Sequence, residues 1–203
     1  MTALIEAIVE GRTHDLGGFS VRRVLPSVQR RAVGPFVFVD HMGPARFGPG
    51  AGVAVRAHPH IGLATVTWLF EGALVHRDNL GNVQVIEPGE VNWMTAGRGI
   101  AHSERSRPED FAAGMRFHGM QTCVALPRAD EEAEPAFFHH PGDTVQRVER
   151  AGVRLDVVAG TAYGVASPVR VHSPTLYVAA TLQAGAMQAV DTGHEERAVY
   201  VAD

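Results

Sequence analysis

The sequence predicts an all-β fold of many short strands, on three observations. Short runs of β-branched, aromatic and apolar residues recur along the chain. Glycine (22) and proline (12) are frequent enough to supply a turn after each run. Helical periodicity is scarcely visible. Strands this short, at this spacing, pack as a sandwich or barrel.

Phe19 to Leu25 follows the Gly17-Gly18 turn and stops at Pro26, and Phe36 to Val39 follows Gly34-Pro35. Leu63 to Phe70 reads as a strong strand, with Thr65, Thr67 and Phe70 as typical strand formers. Ala73 to His76 and Val83 to Ile86 flank Asp78-Asn79-Leu80-Gly81-Asn82, a hairpin loop by composition. Pro88-Gly89 is a further turn, and Val91 to Met94 a further strand. Arg128 to Pro135 is polar, acidic and bounded by proline, so it reads as a connection between domains. Strands resume at Arg154 to Ala159, Val169 to Val171, Leu176 to Leu182 and Arg197 to Val201. The expected organisation is a domain over residues 1–128, a linker over 129–136 and a partial second domain over 137–203. Ala198 to Val201 is expected to end the chain as a strand with an unpaired edge, which favours self-association.

Composition narrows the function classes. With 203 residues, 45% hydrophobic and 20% charged, the chain can bury a sizeable core and reads as an ordinary soluble protein. A net charge of −4, with only Arg22-Arg23 and Arg30-Arg31 as basic runs, argues against general nucleic-acid binding. The single cysteine, Cys123, excludes an intramolecular disulfide framework. It lies in the apolar stretch Met120 to Leu126, where a buried structural thiol is expected. Met1 to Glu6 lacks the charged start and apolar core of a signal peptide. No apolar run reaches the roughly 18 residues of a membrane span. A cytoplasmic location is expected.

Two tripeptides carry the chemistry. His58-Pro59-His60 and His102-Ser103-Glu104 each place two ligand-capable side chains two residues apart. On an extended backbone those pairs point to one face. Pro59 cannot donate to a ladder, so its segment belongs at a sheet edge, a strand start or a bulge. A lone histidine in a β domain is usually just a satisfied polar residue. Two matching pairs, the second just after the turn Thr95-Ala96-Gly97-Arg98-Gly99, point to metal instead. Three imidazoles and a carboxylate suit Fe(II), Mn(II), Co(II), Ni(II) or Zn(II). A closed structural zinc site would be expected to use thiolates, and no cysteine is near. Asp40 and His41 read either as partners orienting a ligand imidazole or bound water, or as a turn residue beside an exposed histidine. Arg98 either faces an anionic substrate or is a surface arginine. Trp68, Phe70, Trp93 and Met94 are expected in the core. His76, His118, His139, His140, His172 and His194 show no partner spacing, and His139-His140 beside Pro141 reads as a loop.

Gly34-Pro35-Phe36 with Phe38 to Pro44, His58 to Thr67, and Pro88 to Glu104 together resemble the pirin family, over a stretch from about Arg22 onward. The resemblance implies a cupin fold, a double-stranded jelly-roll-like barrel, in a bicupin arrangement whose second barrel is here incomplete. It implies iron held by His58, His60, His102 and Glu104, with Fe(II) first among the metals. One departure is that cupins often carry a glutamate soon after His-x-His, where this chain has Ala64 and Thr65. Quercetinase activity described for pirin-like proteins implies a dioxygenase acting on a flavonol or similar enolic aromatic, with Glu104 accepting the substrate proton. The competing expectations are a redox-sensitive regulatory module that meets a protein partner, and a shortened member without activity.

Overall fold

The computed structural model describes residues 5–202. The N-terminal reading falls on Met1 to Leu4 for the most part, and the chain end on Asp203; both lie outside the described residues. The first strands are β1 (Arg12–Asp15), β2 (Ser20–Leu25), β3 (Phe36–Phe47), β4 (Ala54–His60), β5 (Leu63–Glu71) and β6 (Leu74–Asp78). They are followed by β7 (Val83–Ile86), β8 (Val91–Thr95), β9 (Ile100–Arg105), a short helix α1 (Pro108–Ala113) and β10 (Met115–Ala125). The rest comprises β11 (Ala136–His140), β12 (Gln146–Arg150), β13 (Val153–Ala159), β14 (Thr161–Ala162), β15 (Val165–Ala166) and β16 (Tyr177–Leu182). The predicted all-β class holds. Among the described residues no helix is long and apolar enough to cross a membrane.

Three sheets stack. A seven-stranded sheet runs β1-β2-β3-β10-β5-β8-β11, and a four-stranded sheet runs β4-β9-β6-β7. Alternation sends Leu69 of β5 and Met42 of β3 to one face, where they meet Leu74 and Ile86 of the smaller sheet around Phe117. Ala64, Val66 and Trp68 point the other way, with Val91 and Trp93 of β8. They pack on Val158 and Ala159 of the third sheet, β12-β13-β16. The C-terminal segment is therefore a layer laid on the outer face of the first sheet pair. β11, across the expected boundary near residue 137, pairs with β8 and extends the seven-stranded sheet.

Several local expectations are corrected. His139-His140 belong to β11, not to a loop. Val169 to Val171 and Arg197 to Val201 form no strand. Val169 is buried in the interlayer core without a ladder partner, so its apolarity reflects packing rather than pairing. With Ala198 to Val201 not a strand, the unpaired terminal edge that motivated self-association is absent there; Tyr200 instead places its hydroxyl 2.8 Å from His41 Nδ1. Trp68, Trp93 and Met94 are buried as expected, but Phe70 is 40% exposed and lies against the His118 ring.

One glycine matters for the site. Gly97, with φ of 51°, sits so close to the Ala133 carbonyl that a Cβ would collide with it. The neighbouring Arg98 N–H donates to that carbonyl at 3.0 Å. This contact pins the β8–β9 turn against the 127–135 connection and fixes where β9 starts.

Candidate metal centre

β4 is an edge strand of the four-stranded sheet, as Pro59 requires, and its register against β9 slips between Val55 and His58. Downstream of the slip, His58 stands opposite His102. On the other side of β9, His102 stands opposite Asp78 of β6, and Glu104 opposite His76. Cross-strand partners share a face, so these side chains form two rows on the sheet's inner surface.

The rows bring three imidazoles together. Ligand atoms of His58, His60 and His102 all lie within 4.8 Å of one another. Their ring centroids are 4.5 to 5.0 Å apart. His58 Nδ1 lies 2.9 Å from the Arg56 carbonyl, an acceptor, so that nitrogen carries the proton and Nε2 keeps its lone pair. His102 Nε2 is buried and has no hydrogen-bond partner. A buried imidazole nitrogen without a partner, in a cluster of imidazoles, is what a divalent cation would satisfy, so the residues present fit a metal. Burial, reinforced by the neighbouring histidines, lowers His102 to about 3, and burial with His58 lowers His60 to about 4. Both rings are neutral at physiological pH, as ligation needs.

Glu104 is 8% exposed, with its Oε1 4.0 Å from His102 Nδ1. It adjoins the histidine triad but stands outside that compact group. Burial pushes its carboxyl up to about 7.

The outlying candidates have partners of their own. Asp40 is buried, and its two oxygens accept bonds from Arg23 Nε and Nη2 at 2.9 and 2.8 Å. No hydrogen bond joins it to the triad among the described residues. His41 lies on the opposite face of the same strand, with its Nε2 2.6 Å from His118 Nε2. The exposed Arg98 is bound to the Glu134 carboxylate at 2.6 Å. Two residues that sequence reading passed over adjoin the site. His76 Nδ1 is 3.3 Å from His102 Nδ1, and His76 Nε2 is 2.9 Å from Asp78 Oδ2. The His-x-Asp spacing, matching the other two tripeptides, was the available signal.

The family model described as Pirin matches residues 18–124, a little over half of the chain. The chain belongs to the pirin family. It is 48% identical to a "Pirin-like protein" of Caulobacter vibrioides over 98% of its own length and 70% of that relative's. It is 50% identical to a protein of Pseudomonas aeruginosa named "Putative quercetin 2,3-dioxygenase PA1205", over 79% of this chain and 49% of that one. A quercetin 2,3-dioxygenase structure from Acinetobacter baumannii superposes with a TM-score of 0.78 at 40% identity, over 83% of this chain and 55% of the other. This pirin chain thus spans 49 to 70% of the length of these three proteins. Its nearly all-β build and these matches bear out the cupin-type fold.

Cys123, on the inner face of the same pirin sheet, is buried, as expected of a structural thiol. Burial pushes it up to about 12, with Glu104 and Asp40 adding and Arg23 opposing. The thiolate fraction at pH 8 is then about one in 10,000. Native protein should react with a thiol-specific disulfide reagent more than about 1,000-fold more slowly than free cysteine. Stopped-flow labelling before and after unfolding checks this; fast labelling of the folded state would show the thiol accessible.

Proposed function

We propose that this chain holds a divalent metal, Fe(II) first, through His58, His60, His102 and Glu104, and supports dioxygenase chemistry on a flavonol-like enolic aromatic. The single observation behind the metal reading is the unpartnered, buried Nε2 of His102, on a ring whose ligand atom groups with those of His58 and His60 within 4.8 Å. Similarity to the Pseudomonas and Acinetobacter proteins named as quercetin 2,3-dioxygenases supports the substrate class. A metal at this position supplies a Lewis acid and a template for substrate and dioxygen.

The protein's own contribution is local. His60 and His102 stay neutral, and with His58 they hold donor atoms in register across two strands. The buried Glu104 carboxylate, beside the triad, accepts the substrate hydroxyl proton. The opposite wall comes from the inward face of the seven-stranded sheet, which carries Thr65 and Thr67. Thr67 is already engaged, donating to Gln121 Oε1 at 2.8 Å.

The test is anaerobic loading with Fe, Mn, Co or Ni in turn, followed by quercetin and oxygen. Oxygen uptake matched to quercetin loss is expected with at least one metal. No uptake with any of the four would overturn the catalytic reading.

A further inference from the structure

We infer that Asp78 and His76 are positioning residues that fix the tautomer of His102 and so aim its Nε2 lone pair into the histidine cluster. The inference rests on the metal reading above and extends it to two residues that are not ligands.

The Asp78 side chain is fully buried. Its Oδ1 accepts the backbone N–H groups of Leu80 and Asn82 at 3.0 and 3.1 Å. Its Oδ2 accepts the Asn82 side-chain amide at 2.9 Å. A carboxyl surrounded by donors is an acceptor at both oxygens. The remaining contact to Oδ2, from His76 Nε2 at 2.9 Å, must then be a donated N–H. A neutral imidazole has one proton, so His76 Nδ1 is left as a lone pair. That lone pair faces His102 Nδ1 at 3.3 Å. The proton between them can only be on His102 Nδ1, which leaves His102 Nε2 bare. That atom is the buried nitrogen with no partner. Phe137 stacks on His76, with centroids 4.2 Å apart and planes 14° apart, and holds its ring plane in place.

The hairpin loop that Asp78 closes is thus also the far end of a three-residue chain reaching the metal cluster. Donor N–H groups on ligating histidines are generally held by a carboxylate or carbonyl, and losing that partner costs roughly 10–100-fold in metal affinity. Here an imidazole is interposed between carboxylate and ligand.

Asp78→Asn tests this with little change of shape. The loop N–H groups of Leu80 and Asn82, with the Asn82 side-chain amide that also reaches Oδ1 at 3.1 Å, keep the amide oxygen where Oδ1 was, so the amide nitrogen replaces Oδ2. It donates to His76 Nε2, which drives the His76 proton to Nδ1 and the His102 proton to Nε2. The ligating lone pair is closed. In metal-free protein, nitrogen-15 NMR of the imidazoles should show His102 protonated at Nδ1 in the wild type and at Nε2 in Asp78→Asn. Co(II) titration should show roughly 10–100-fold weaker binding for the variant, with the melting temperature of the metal-free protein little changed. His76→Phe keeps the stack on Phe137 but removes the acceptor without reversing it, so its loss should be smaller than that of Asp78→Asn. A wild-type His102 protonated at Nε2, or wild-type tautomer and Co(II) affinity in Asp78→Asn, would overturn the inference. Wild-type protein that takes up no Co(II), whatever the tautomer, would overturn the metal reading and this one with it.

Discussion

Replacing His102 with alanine should abolish metal-dependent stabilisation while leaving the metal-free fold intact. His102 occupies the centre of the cluster, opposite His58 on one side and Asp78 on the other. Without it, only the His58-Pro59-His60 pair on an edge strand remains of the three clustered imidazoles. The affinity loss should exceed about 100-fold, beyond the roughly 10–100-fold range for residues standing behind a ligand. At free metal about 100-fold above the wild-type Kd, binding adds about 2.7 kcal/mol to wild-type stability. Under the same conditions the gain in His102→Ala should fall below about 0.4 kcal/mol. Thermal or urea unfolding with and without Co(II) reads this directly. The metal-free variant should unfold close to the metal-free wild type, because the deleted ring carries a buried polar atom with no partner and its loss offsets part of the cavity left behind. A variant stabilised by metal as strongly as wild type would show that His102 is not a ligand.

The two tripeptides were legible because their chemistry is written at a spacing of two, the period of a strand, and no register is needed to see it. The same property hid the residues behind them. His76 and Asp78 also stand two apart, but their meaning depends on β6 lying beside β9 with Asp78 opposite His102. Register of that kind is set by hairpin geometry and packing, not by local pattern. Asp40 and His41 show the same dependence on structure: as neighbours in a strand they face opposite sides. Asp40 went to Arg23, and His41 to Tyr200 and His118. Val169 to Val171 and Arg197 to Val201 have the composition of strands but no ladder to join, and composition alone does not provide a partner. β11 was obscured by His139-His140-Pro141, whose polar character fits an edge strand of the larger sheet as well as a loop.

Trp93→Ala should be among the most destabilising single substitutions in the chain, and it should separate the fold's integrity from the histidine cluster. Trp93 is 2% exposed and lies between layers, among Val66 and Ala64 of the first sheet and Val158, Ala159 and Val169 of the C-terminal segment. Its indole N–H donates to Thr95 Oγ1 at 3.2 Å, so truncation also strips a buried hydroxyl of its partner. A loss of about 3–5 kcal/mol is expected for such a residue, a large part of the roughly 5–15 kcal/mol that holds a domain together. Because this core joins the seven-stranded sheet to β13 and β16, the layers should unfold together, in one urea transition shifted to a lower midpoint. Two transitions, with only one shifted, would show that the C-terminal layer folds independently. The histidine cluster sits on the other side of the seven-stranded sheet, against its inward face. Under conditions where Trp93→Ala remains folded, Co(II) affinity should therefore stay within about 3-fold of wild type, since distant sites that share no partner are close to additive. A fall of the size expected for His102→Ala would mean that the interlayer core sets the geometry of β8 and β9 tightly enough to govern the ligands themselves.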